Sequence, residues 1–290
     1  MSGGRASLGA WQEIGPGVFR RRYSSFDQGI CAVVGDGEVL VVDTRSTAEQ
    51  ARELLDDLHA LTPLPVRTVV NTHVHFDHTF GNAQFADAAI WGHERCASEL
   101  ALHGIERRDR IVAWARGAGP EAAGLVEGLA SVRIVPPEHV VDDEGAILDV
   151  GGRLVEIHFL GRGHTDADLV LAVPDAAVVI AGDLVEEGAP PSFDDSFPLE
   201  WPDVLDRVGA LAQSVALPGH AAVIAPGHGA AVDVGFVERQ ADAVREVARI
   251  ARESYEAGVP EEEAAGRVEL PREAAEAAVR RAWAQLVATS

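Results

Sequence analysis

The chain has 290 residues, 47% of them hydrophobic, with 46 acidic against 24 basic side chains and a net charge of −22. That length and apolar content exclude a disordered chain, and no apolar run approaches the roughly 20 residues a membrane span requires. So negative a chain repels phosphate backbones and anionic headgroups, so neither nucleic acid nor membrane is an expected partner and a small molecule is.

In chain order, the opening MSGGRASLGAW has no charged stretch followed by an apolar one. No secretory signal is expected, and a cytoplasmic location is. From Val18 to about Val42 the pattern is strand-like, with Gly35-Asp36-Gly37 separating residues 30–34 from 39–42 as in a hairpin. Asp43 ends that run. A helix follows from Ala48 to about Leu61, with Ser46 or Thr47 as N-cap. A short apolar run at residues 66–70 leads into Asn71-Thr72-His73-Val74-His75-Phe76-Asp77-His78. Residues 94–130 read as an irregular helical insertion broken at Gly117 and Gly119-Pro120. Short strands follow at residues 132–135, 146–150, 154–159, 169–173, 177–181 and 222–225. Two amphipathic helices, at about 235–256 and 272–287, fill a C-terminal segment of residues 231–290. No low-complexity linker divides residues 1–290, so one domain is expected, with two strand-and-helix halves packed sheet to sheet.

Every basic residue is arginine, so chemistry that needs a lysine nucleophile, base or carboxylate clamp is unavailable. Cys31 and Cys96 are too few for a disulfide framework and are expected as small buried hydrophobes. The chemistry concentrates elsewhere. His73-x-His75-x-Asp77-His78 places four strong ligand side chains within six residues, at the end of an apolar run where a loop can converge them. Three later strand ends deliver one candidate each beside glycine: Gly163-His164-Thr165, Gly182-Asp183 and Gly227-His228-Gly229. Imidazole and carboxylate suit zinc, and also iron or manganese. A second Pro-Gly-His, ending at His220, precedes its strand and is set aside. His59, His93, His103, His139 and His158 have no motif partners.

THxHxDH, GHT, AGD and PGHG in this order, after Asp43, resemble the metallo-β-lactamase-fold hydrolase superfamily over roughly residues 14 to 230. The resemblance implies an α/β fold: an αβ/βα four-layer sandwich of two mixed β-sheets flanked by helices, with metals at one edge. It implies that His73, His75 and His164 hold one zinc, that Asp77, His78 and His228 hold a second, and that Asp183 bridges them. Asp43 would support the ligand loop from behind. Two ions about 3.5–4 Å apart acidify a shared water, and the resulting bridging hydroxide would attack a carbonyl carbon. Asp77 would also act catalytically, orienting that nucleophile or relaying its proton.

The implied activity is hydrolysis of a small ester, thioester, lactone or lactam by two zinc ions per chain. Three alternatives share much of the motif: β-lactamases with a histidine-and-aspartate site, thioesterase-cyclases of polyketide assembly, and thiol (persulfide) dioxygenases with a single iron. A metal-binding protein without turnover fits a complete ligand set poorly. For substrate contacts, residues 24–30 are expected as a flap over the metals, the insertion with Trp114 as a lid, and residues 186–201 as a pocket wall offering Phe193 and Phe197. Arg162 is the candidate for a substrate carboxylate. Asp166 and Asp168 are read as turn residues or supports behind the ligands.

Overall fold

Parallel pairing of strand ends explains why distant segments meet in this molecule. The computed structural model describes residues 9–288, which leaves most of the opening segment outside it. The first sheet runs in chain order through β1 (Gln12–Gly15), β2 (Val18–Arg22), β3 (Gly29–Val34), β4 (Val39–Val42), β5 (Val66–Val70), β6 (Ala89–His93) and β7 (His139–Val141). Its first three pairings are antiparallel and include the expected β3–β4 hairpin, while β4–β5, β5–β6 and β6–β7 are parallel. The second sheet has the order β12-β11-β10-β9-β8, from β8 (Ala146–Val150), β9 (Arg153–Phe159), β10 (Leu169–Val173), β11 (Val178–Glu186) and β12 (Val223–His228). Only β11–β12 is parallel there.

Both sheets are mixed, as expected, and they bury one face against each other through Val33, Leu40 and Val42 on one side and Ile157, Leu171 and Ile180 on the other. The outer face of the first sheet is covered by α1 (Ala48–Leu61), whose Ala51, Leu54 and Leu58 follow helical spacing. Thr47 caps α1 by accepting from the Gln50 amide. Past the one-turn α2 (Phe76–Thr79) lies the insertion: α3 (Glu94–Ala115), α4 (Pro120–Gly124) and α5 (Val126–Ala130). The outer face of the second sheet is covered by α6 (Trp201–Val215), α7 (Val234–Glu256), α8 (Glu261–Ala265) and α9 (Arg272–Ala288). The layers therefore run helix, sheet, sheet, helix. No helix among the described residues is long and apolar enough to cross a membrane.

Several elements differ from expectation. Residues 132–135 form no strand; Val132 packs with Leu129 under the insertion, so its apolar pattern reflects burial without ladder pairing. Strands β1, β6 and β7 and helix α6 have no counterpart among the expected elements: the three strands are short, β6 is interrupted by Gly92, and α6 opens on Trp201-Pro202, which reads as the end of a loop. Finally, β11 and β12 extend beyond their apolar runs, so Asp183 and His228 lie within strands. A register shift at Gly182, where φ is +52°, turns Asp183 out of the ladder.

Candidate metal centre

The parallel pairs bring their C-terminal ends to one edge. Val42 pairs with Val70, so Asp43 stands beside Thr72 and its carboxylate becomes the anchor of the following loop. Asp43 Oδ1 accepts from the Thr72 amide at 2.8 Å, and Oδ2 accepts from Thr72 Oγ1 at 2.9 Å and from His78 Nδ1 at 2.8 Å. Asp43 has φ +68°, a left-handed conformation that a non-glycine residue adopts only when its surroundings enforce it. In the other sheet, β10 runs antiparallel to β11, so the loop entering Leu169 sits at the end of β11 that carries Asp183. The Leu169 amide donates to Thr72 O at 2.8 Å and ties the two sheets together there.

His73, His75, His164 and Asp183 form one group and Asp77, His78 and His228 another, the ligand atoms in each lying within 4.8 Å of one another. Asp183 stands between them: Oδ2 is 3.6 Å from His73 Nε2, 3.6 Å from His164 Nε2 and 3.3 Å from His228 Nε2, while Oδ1 is 3.4 Å from His78 Nε2. Asp77 Oδ2 is 3.4 Å from His78 Nε2 and 3.3 Å from His228 Nε2. These separations are long for hydrogen bonds but match the spacing, about 3.4 Å, of two ligands on one tetrahedral ion with bonds of about 2.1 Å.

Each ring is held by its far nitrogen. His73 Nδ1 donates to Thr72 Oγ1 at 3.0 Å, His228 Nδ1 to Phe26 O at 2.6 Å, His164 Nδ1 to Ser192 O at 3.3 Å and His75 Nε2 to Asp195 Oδ1 at 2.8 Å. Such contacts set the tautomer and orientation of metal-bound imidazoles. The inward atoms His73 Nε2, His78 Nε2 and Asp183 Oδ1 are buried without a hydrogen-bond partner. Buried polar atoms rarely stay unsatisfied, and here the donor set suits a divalent cation. The electrostatics agree. Burial, then His78, holds His73 well below the usual histidine range, and burial with His75 pushes His164 down to about 4. Burial opposes the charge on Asp183 and Asp77, yet the surrounding imidazoles outweigh it and hold both well below the usual carboxylate range. At His78 and His228 burial likewise opposes protonation, and carboxylates led by Asp183 overcome it. The cluster favours positive charge at its centre.

The centre opens into a cavity of about 640 Å³ bordered by His75, Asp77, His164, Asp183 and His228. As expected, residues 24–30 and the insertion reach it, through Phe26 and Trp114. The aromatics expected from residues 186–201 do not. Phe193 is buried against Trp201, and Phe197 lies under the guanidinium groups of Arg162 and Arg281. That segment does line the cavity, through polar residues such as Glu186, Ser192 and Asp195, while the aromatic part of the wall comes from Phe26, Phe76, Phe80 and Trp114. Arg162 is committed to Glu200 at 2.5 Å, away from the cavity, which overturns its expected substrate role. His220 is exposed on its own turn, apart from the cluster.

Asp168 supports the His164 loop, accepting from the Gly163 amide at 3.2 Å and from Thr165 N and Oγ1 at 2.8 and 2.7 Å. Two supports were not legible in the sequence. Asp195, behind His75, also lies 3.4 Å from Arg107 on α3. Gln28 donates from its side chain to Asp77 O. An aspartate in a polar loop and a lone glutamine carry no motif; only the contact itself identifies them.

A family model described as the metallo-beta-lactamase superfamily matches residues 25–228. The human acyl-coenzyme A thioesterase MBLAC2 is 29% identical over 238 residues, which is 76% of this chain and 80% of that protein. The bovine protein of the same name matches equally. Among solved structures, the inverting sec-alkylsulfatase Pisa1 of Pseudomonas sp. superposes with a TM-score of 0.75 at 18% identity over 95% of this chain. The chain spans about half the length of that sulfatase, 50%. A metallo-beta-lactamase from Pontibacter korlensis superposes with a TM-score of 0.60 at 18% identity, covering 81% of this chain and 98% of its own. At such identities these likenesses concern the fold.

Proposed function

The chain belongs to the metallo-β-lactamase superfamily and is one of its metal-dependent hydrolases, and on this premise we propose that it cleaves a small acyl thioester at a pair of zinc ions. The observation that carries the reading is the convergence of two ligand groups on Asp183, with three buried atoms lacking other partners, at the floor of an aromatic-walled cavity. His73, His75 and His164 would hold one ion, Asp77, His78 and His228 the other, and Asp183 would be shared. When bound, such a pair supplies Lewis acidity toward the carbonyl and a water acidified toward neutral pH.

The chain's own residues do the rest. Asp43, Thr72, Phe26 and Asp195 fix the rings so that their inward nitrogens stay aimed into the two ligand groups. Asp77, at the cavity floor, orients the attacking water through its carboxylate. The aromatic wall excludes water from the acyl chain and favours an apolar acyl group. The thioester is preferred over lactam and lactone because the thioesterase MBLAC2 aligns over most of both chains.

The test joins elemental analysis of the purified chain to rates on matched thioester, ester, lactone and lactam substrates. Near two zinc ions per chain with fastest turnover of the thioester is expected. One iron per chain with oxygen uptake on a thiol substrate would overturn it.

A further inference from the structure

Helix α3 turns Arg107, Arg110, Ile111 and Trp114 toward the cavity. Their spacing is i, i+3, i+4 and i+7, a single stripe along the helix. The stripe is apolar at one end. The Trp114 ring centroid is 6.0 Å from Phe76 and 6.4 Å from Phe26, and those two rings are 5.6 Å apart. Trp114 remains 47% exposed, although a tryptophan gains much by burial.

The other end of the stripe is cationic, and its two arginines differ. Arg107 is committed, 3.1 Å from Glu99 and 3.4 Å from Asp195. Arg110 is exposed and has no ion-pair partner among the described residues. The remaining charges around the cavity include Asp27, Glu187 and Asp194, all acidic. Asp27 is already paired with Arg22 and Glu187 accepts from the Ala230 amide. In a chain of net charge −22, an uncommitted arginine one helical turn, about 6 Å, from a half-exposed tryptophan makes a two-part subsite.

We propose that Arg110 is a specificity residue that takes an anionic group of the acyl substrate while the acyl chain lies along Ile111, Trp114, Phe26 and Phe76. This deepens the thioesterase reading by naming the substrate class: a negatively charged amphiphile, its anion either a phosphate on the thiol carrier or a carboxylate on the acyl chain. A guanidinium donates to both anions through the same fork of N–H groups.

The test uses uncleavable thioethers and calorimetric binding to the zinc-loaded full chain. The three probes are S-octyl-coenzyme A, the ω-carboxyoctyl thioether of N-acetylcysteamine, and the neutral octyl thioether of N-acetylcysteamine. At least one anionic probe is expected to bind about 10-fold more tightly than the neutral one, and which of them does so identifies the source of the anion. Arg110→Ala should erase that preference without changing the neutral probe's affinity, Arg110→Lys should keep part of it, and Trp114→Ala should weaken all three. A preference that survives Arg110→Ala overturns the assignment, as does its absence in the native chain or failure of all three probes to bind. No probe requires turnover, so this result stands apart from the hydrolysis assay.

Discussion

At the residue scale, Asp183 is the hinge of the centre, and a glycine holds its place. A Cβ added to Gly227 would meet Asp183 Oδ1 at 1.8 Å. Gly227 is not among the glycines of positive φ, so its role is close approach and not a special turn. Gly227→Ala should therefore displace a carboxylate that remains chemically intact. Elemental analysis should find less than half the native metal in Gly227→Ala and in Asp183→Ala, with turnover down at least about 100-fold in both. Full metal content and rate in Asp183→Ala would remove the shared-ligand assignment. The candidate ligands could be singled out because histidines and aspartates at spacings of one and two residues, next to strand-end glycines, carry the pattern locally. Why glycine precedes His228 was not legible, since Asp183 belongs to another strand.

At the scale of elements, the segment between β11 and α6 does more than close a wall. It carries Asp195, which receives the Nε2–H of His75 and also meets Arg107 of α3, so the insertion and the ligand loop are joined through one carboxylate. Burial opposes that charge, but His75 and Arg107 hold it well below the usual carboxylate range. Asp195→Ala should lower metal affinity about 10–100-fold in a competition with a chromophoric chelator while the far-UV circular dichroism stays native. Unchanged affinity would reduce the contact to packing. Helices α1, α7 and α9 were legible because three to six turns of apolar spacing average out exceptions. Strands β1, β6 and β7 are short and too mixed in composition to show a period or a continuous apolar run, and residues 132–135 show apolar character that packing uses without a ladder.

For the whole molecule, the site is a seam between two sheets. The candidate ligands come from β11 and β12, from the loop and one-turn helix after β5 and from the loop before β10, so a cation held there would cross-link both halves. Ligands that bind only the folded chain stabilise it by mass action, about 2.7 kcal/mol at a hundred times Kd. Stripping metal with a chelator should therefore lower Tm by about 5–10 °C, and adding zinc back should restore it. A Tm that stays constant while elemental analysis records complete removal would place the centre outside the folding equilibrium.

The sequence by itself carried four contiguous motifs in a fixed order, and their resemblance to the metallo-β-lactamase superfamily implied the fold class and the seven candidate ligands, because each motif is local and survives without knowledge of the packing. The tertiary structure alone decided what surrounds them. The His75–Asp195 contact spans 120 positions, and the apolar wall joins Phe26, Phe76, Phe80 and Trp114 from three separate segments. It also decided that Arg162 is spent on Glu200 and that Arg110 is not. Such contacts follow from strand order, register and the direction in which each helix face points. Those are properties of the packed chain, and no local run of residues encodes them.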